Sequence, residues 1–146
     1  MMKQRIEIDH IGIATNTLEE GSKFWTILGL KSQGPDDFVE DQGVTTRFFP
    51  LSSSDSSRPN IELLEPSGPN TPIGKFLAKR GEGIQQLCLS VDDLEQMIAH
   101  LIENGIKMID EAPRKGAHDS LIAFVHPKST GGVLVELKQR KEAVQA

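Results

Sequence analysis

Laid on itself, this sequence matches at a shift of 76 residues, and a repeat of that length restricts the fold to two like modules in tandem. Asp9-His10-Ile11-Gly12-Ile13-Ala14, followed by Leu18-Glu19-Glu20, falls on Gln85-Gln86-Leu87-Cys88-Leu89-Ser90, followed by Leu94-Glu95-Gln96 (86 − 10 and 94 − 18 both give 76). A second match closes each half. Ile61-Glu62-Leu63 falls on Val135-Glu136-Leu137 at nearly the same shift (136 − 62 gives 74).

Within each half the local signals follow one order. A short apolar strand comes first, then a helix start: Thr17-Leu18-Glu19-Glu20 has capping-box spacing and predicts a helix to about Leu28, ended by Gly29. In the second half Asp92-Asp93-Leu94-Glu95 opens a helix. Leu94, Met97, Ile98, Leu101 and Ile102 have helical spacing, and Asn104-Gly105 stops it. Strands are expected at 43–50 and 60–65, then at 120–125 and 132–138, with shorter ones near 30–34 and 106–109. Thr71-Pro72 starts a short linker helix to about Lys79. The expected fold class is α+β, two tandem βαβββ modules (5–67 and 84–140) joined by a linker (68–83) in a single domain spanning 1–146. Their curved mixed sheet would surround a metal cavity. Phe24, Trp25 and the Leu/Ile helix stripes are assigned to the core.

The chain has 146 residues, enough to bury roughly two-thirds of its unfolded surface. A net charge of −5 gives no broad cationic surface, which argues against nucleic acid as a partner. No apolar run reaches the roughly 18 to 20 residues of a membrane span, and Met1-Met2-Lys3-Gln4-Arg5 lacks a signal-peptide apolar region. The single cysteine, Cys88, has no intrachain disulfide partner and reads as a small buried hydrophobe. The expected location is cytoplasmic. Ser52-Ser53-Ser54-Asp55-Ser56-Ser57 is the one low-complexity tract.

The repeat sets His10 opposite Gln86 and Glu62 opposite Glu136, each on a predicted strand. Side chains alternate along a strand, so His10, Gly12 and Ala14 share one face, as do Gln86, Cys88 and Ser90. If a pseudo-twofold axis relates the halves, these positions converge. One imidazole, one amide oxygen and two carboxylates then suit a divalent cation, with a leaning to Mn, Co, Ni or Mg, although Zn also accepts such donors.

At these residues the chain resembles the methylmalonyl-CoA epimerases of the vicinal-oxygen-chelate, or glyoxalase/bleomycin-resistance-like, superfamily. The resemblance runs from about Ile8 to Leu137. It is carried by Ile8-Asp9-His10-Ile11-Gly12-Ile13-Ala14, Ile61-Glu62-Leu63-Leu64-Glu65-Pro66, Lys115-Gly116-Ala117-His118 and, most specifically, the closing stretch from His126-Pro127-Lys128-Ser129-Thr130-Gly131-Gly132 to Val133-Leu134-Val135-Glu136-Leu137. It implies that His10, Glu62 and Glu136 are metal ligands, and that Gln86 occupies a position where these epimerases carry a second histidine. Gln86 still offers a carbonyl oxygen, a neutral and weaker donor, so reduced metal affinity or an altered substrate preference is expected. A further departure is Thr46, at a place where some members carry a glutamate base.

The implied chemistry is proton abstraction alpha to a thioester carbonyl in a methylmalonyl-CoA-like substrate, assisted by a divalent metal (Co, Mn, Ni, Zn or Mg). Glu136 is the nominated catalytic residue. Lys115, His118 and Lys128, in glycine-bearing loops, are candidate contacts for the substrate carboxylate or the CoA phosphates. A homodimer is expected, as is common in the family. Two rival readings are a different superfamily enzyme, such as a glyoxalase-like lyase or an oxygenase, and a non-catalytic ligand-binding protein. The oxygenase ranks lower because Gln86 removes the second histidine such iron sites use.

Overall fold

Ile11 and Ile13 alternate with His10, Gly12 and Ala14, and that period of two makes the first segment a strand with one apolar face. The structure, a computed structural model, describes residues 3–51 and 59–141. The serine-rich run 52–57 lies outside the described residues. The strands are β1 (Glu7–Ala14), β2 (Asp37–Val39), β3 (Val44–Pro50), β4 (Asn60–Pro66), β5 (Gly83–Val91), β6 (Arg114–Lys115), β7 (Leu121–Val125) and β8 (Val135–Gln139). The helices are α1 (Leu18–Leu28), α2 (Pro72–Arg80) and α3 (Leu94–Glu103). Contacts divide the chain into one unit from His10 to Gln85 and another comprising the segment up to Asp9 with Gln86 onward. Among the described residues no helix is long and apolar enough to cross a membrane.

In the His10–Gln85 unit the strand order is β2-β3-β4-β1. β1 runs parallel to β4, while β3 pairs antiparallel with both β4 and β2. A parallel pair needs a crossover, and α1 lies within it. The helix starts where Thr17 accepts a hydrogen bond from the Glu20 N–H at 3.2 Å. It stops at Gly29, whose φ of 120° would strain a side-chain-bearing residue. Its inner side packs Leu18 and Trp25 with Phe49, Ile61, Leu63, Ile11 and Ile13. Phe24, assigned to the core from sequence, is instead 61% exposed. The core stripe passes through Leu18, Ser22 and Trp25, and Phe24 projects to one side of it, its ring T-shaped against Trp25.

Arg47 ties this unit together. Its guanidinium donates to both carboxylate oxygens of Asp36, at 2.8 and 2.7 Å, and to Ser22 Oγ at 2.9 Å, linking β3 to α1. These hydrogen bonds hold the Asp36 carboxyl below the usual carboxylate range. α2 is capped by Thr71, which accepts from the Gly74 N–H at 3.0 Å. Gly74 packs on the Gly68 carbonyl so closely that a Cβ would lie 2.2 Å from its oxygen. Only glycine permits that approach.

The other unit repeats the plan with order β5-β8-β7-β6, β5 parallel to β8 and the remaining pairs antiparallel. Asp93 caps α3 by accepting from the Gln96 N–H at 3.0 Å. Leu94, Met97 and Ile98 pack with Val91, Met108, Ala123, Val125 and Leu137, while Ile102, also expected in the core, is 43% exposed. Arg140, 8% exposed, bonds Glu7 at 2.7 Å, Asp92 at 2.9 Å and the Arg5 carbonyl at 3.0 Å. It fastens the N-terminal segment to this unit.

The short strands lie elsewhere than expected. Near 30–34, only Gln33 donates to the β3 backbone, at Phe48, before Gly34 turns left-handed and Pro35 offers no N–H. The strand forms later, at Asp37–Val39. Near 106–109, Met108 makes an isolated bridge to Val125, after which Ile109 and Asp110 both donate to the Phe124 carbonyl and break the ladder. Pairing resumes at Arg114–Lys115. The last strand begins three residues late because Gly131 and Gly132 hold a left-handed turn.

Candidate functional site

The helix side of each sheet takes the large aliphatic residues, so the opposite side receives the alternate positions. In the first unit these include His10 on β1, Thr46 and Phe48 on β3, and Glu62 on β4. Glu62 faces Gly12 across the parallel pair, which sets it one side-chain repeat beyond His10. The His10 Nε2 and Glu62 Oε1 atoms are 2.6 Å apart, and the residues are only 4% and 3% exposed. Phe48 faces Glu62 directly in the antiparallel register. Its ring stands T-shaped to the His10 imidazole, with centroids 5.9 Å apart. Thr46, 2% exposed, donates to the Asp37 carbonyl at 3.3 Å.

The second unit builds the same arrangement from other residues. Glu136 faces Cys88, again one side-chain repeat beyond the first polar residue, Gln86. Gln86 Nε2 donates to Glu136 Oε1 at 2.5 Å, with the two residues 7% and 5% exposed. Phe124 faces Glu136 as Phe48 faces Glu62. Cys88 is fully buried. Each unit thus joins a nitrogen-bearing side chain of its first strand to a carboxylate of its last.

Burying a carboxylate costs several kcal/mol unless strong partners compensate. Among the described residues Glu62 and Glu136 are the only buried carboxylates, and both belong to these pairs. An imidazole and a carboxylate in one unit, and an amide and a carboxylate in the other, are each donor types that a divalent cation accepts. The Gln86 amide is turned with its nitrogen toward Glu136, which leaves its carbonyl oxygen as the atom directed away from that carboxylate.

The loop residues nominated from sequence occupy separate places. Lys115, on β6, pairs with Asp119 at 3.3 Å, both strongly exposed. His118 is exposed in a short turn where it and Asp119 hold left-handed φ values of 56° and 60°, an uncommon conformation for non-glycine residues. Its carbonyl accepts from Lys141 Nζ at 3.3 Å. Lys128 is exposed in the turn after β7, its backbone N–H donating to His126 Nδ1 at 3.0 Å. Reading the sequence for polar side chains overlooked Phe48 and Phe124. The signal was present, since they stand 76 apart (124 − 48), the same shift that relates His10 to Gln86.

The fold has known relatives. Residues 9–124 match the Glyoxalase/Bleomycin resistance protein/Dioxygenase superfamily. The mitochondrial methylmalonyl-CoA epimerase of Dictyostelium discoideum is 38% identical over 136 residues, 92% of this chain and 78% of the relative. An ethylmalonyl-CoA/methylmalonyl-CoA epimerase of Cereibacter sphaeroides is 36% identical, over 90% of this chain and 96% of its own length. A solved methylmalonyl-CoA epimerase in complex with methylmalonyl-CoA and NH4+ superposes with a TM-score of 0.86 at 32% identity, covering 94% of this chain and 96% of that one. The family match over most of the chain and these near full-length relatives show that the chain belongs to the Glyoxalase/Bleomycin resistance protein/Dioxygenase superfamily, in its methylmalonyl-CoA epimerase branch.

Proposed function

We propose that this chain is a metal-dependent epimerase that inverts C2 of a methylmalonyl-CoA-like thioester by moving the proton alpha to its carbonyl. The observation that carries the reading is the recurrence of one buried polar pair, His10 with Glu62 and Gln86 with Glu136, at equivalent positions of two modules in a chain whose near full-length relatives are epimerases. The single domain spans 1–146, with modules at 5–67 and 84–140.

His10, Glu62, Gln86 and Glu136 would together hold one divalent cation, drawn from Co, Mn, Ni, Zn and Mg. When bound, such an ion supplies Lewis-acid stabilisation of the negative charge that develops on a substrate oxygen, worth several kcal/mol. The protein's own part begins at Glu136. Its Oε1 accepts from the Gln86 amide, a hydrogen bond that orients the carboxylate that would take the C2 proton. Lys115, His118 and Lys128 would contact the CoA phosphates or the substrate carboxylate, as flexible cationic side chains and an imidazole donor. The working form is a cytosolic homodimer.

Solvent-deuterium exchange tests the reading. Purified protein is incubated in deuterated buffer with 2-methylmalonyl-CoA and each divalent metal in turn, and exchange with inversion at C2 is expected with at least one of them. No exchange with any metal overturns the proposal in favour of a binding protein or a different substrate.

A further inference from the structure

We infer that Phe48 determines which C2 substituent the site accepts, an inference that rests on the epimerase reading above. Phe48 shares the β3 face with Thr46 and lies directly across the strand pair from Glu62. Facing residues of an antiparallel pair have Cβ atoms about 4.5 to 5.5 Å apart, so the ring lies in immediate reach of that carboxylate. Its other neighbour is His10, against which it stands at an interplanar angle of 84°. One large apolar side chain therefore abuts both polar members of this module.

Phe124 occupies the equivalent position and is only 8% exposed, taken up by its own module. Phe48 is half-buried. The ring has little freedom to withdraw, with the His10 imidazole against it and the fully buried, β-branched Thr46 two residues along the same face. A rigid wall beside the groups that hold the reacting centre discriminates by substituent length. A single methylene against such a wall is worth roughly 10- to 200-fold in kcat/KM.

The test compares methylmalonyl-CoA with ethylmalonyl-CoA, reading deuterium exchange at C2 in wild type, F48L, F48A and F124L. The ethyl-to-methyl ratio of kcat/KM should rise by about tenfold or more in F48A and by less in F48L. F48L removes less of the side chain than F48A and leaves a smaller cavity, so it carries the test if F48A fails to fold. F124L should change both rates in proportion and leave the ratio as it is in wild type. If wild type exchanges methylmalonyl-CoA but the Phe48 variants keep the wild-type ratio, this inference falls and the epimerase reading survives. Wild-type protein that exchanges neither substrate overturns both.

Discussion

Replacing Glu136 by glutamine separates a catalytic role from a structural one. The two side chains have the same shape, and the site is only 5% exposed, so little repacking is expected. The Gln86 amide that now donates to Oε1 at 2.5 Å would donate to a neutral carbonyl oxygen instead. That exchanges a charge-assisted hydrogen bond for an ordinary one, a loss of about 1 kcal/mol. Against it, an amide costs less to bury than a carboxylate, so the net change in stability should stay within about 1 kcal/mol, a Tm shift of roughly 2 to 4 °C for a chain of this size. Activity should behave differently. Loss of a positioned general base lowers the rate roughly 10²- to 10⁴-fold, equivalent to about 3 to 5 kcal/mol of barrier. The assay pairs deuterium exchange into methylmalonyl-CoA, at metal concentrations shown by titration to saturate the variant, with thermal denaturation of the same sample. A variant that keeps more than about a tenth of wild-type turnover under those conditions would refute the assignment. A variant whose activity disappears together with a fall in Tm far beyond the range above would show that Glu136 acts through the fold.

Two further outcomes follow from named contacts. Gln86→His replaces a neutral amide donor by imidazole and should tighten divalent metal binding by about tenfold or more, read by isothermal titration; unchanged affinity would remove Gln86 from the ligand set. Asp36 is held below its ordinary carboxylate range by its hydrogen bonds to Arg47, so the stability it contributes is complete above that range and is lost as pH falls through the lower native value. Urea midpoints of wild type and Asp36→Asn should therefore differ near neutral pH and converge below about pH 4, with a gap no greater than about 1 kcal/mol because the pair is partly exposed. A gap independent of pH would show that the ion pair is not its source.

The tandem modules, the three helices and the long strands were legible in the sequence because each depends on neighbours in the chain. Thr17, Thr71 and Asp93 cap their helices through N–H groups three residues away, and apolar alternation needs only a buried face to act upon. The repeat also picked out the four polar positions, since two copies of one module keep equivalent positions. The short strands were not legible. At 30–34 and 106–109 the residues accept strand geometry, but Gly34 with Pro35 and the doubled donation of Ile109 and Asp110 to one carbonyl move the pairing downstream. Such shifts depend on the partner strand, which local sequence does not contain.

What the sequence determined by itself is the pair of βαβββ modules and the four polar positions His10, Glu62, Gln86 and Glu136. Only the tertiary structure decided that His10 meets Glu62 and Gln86 meets Glu136, and that Phe48 faces Glu62 as Phe124 faces Glu136. The physical reason is register. Parallel pairing of the first and last strand of each module joins residues about fifty positions apart, and that alignment is set by packing across the whole sheet.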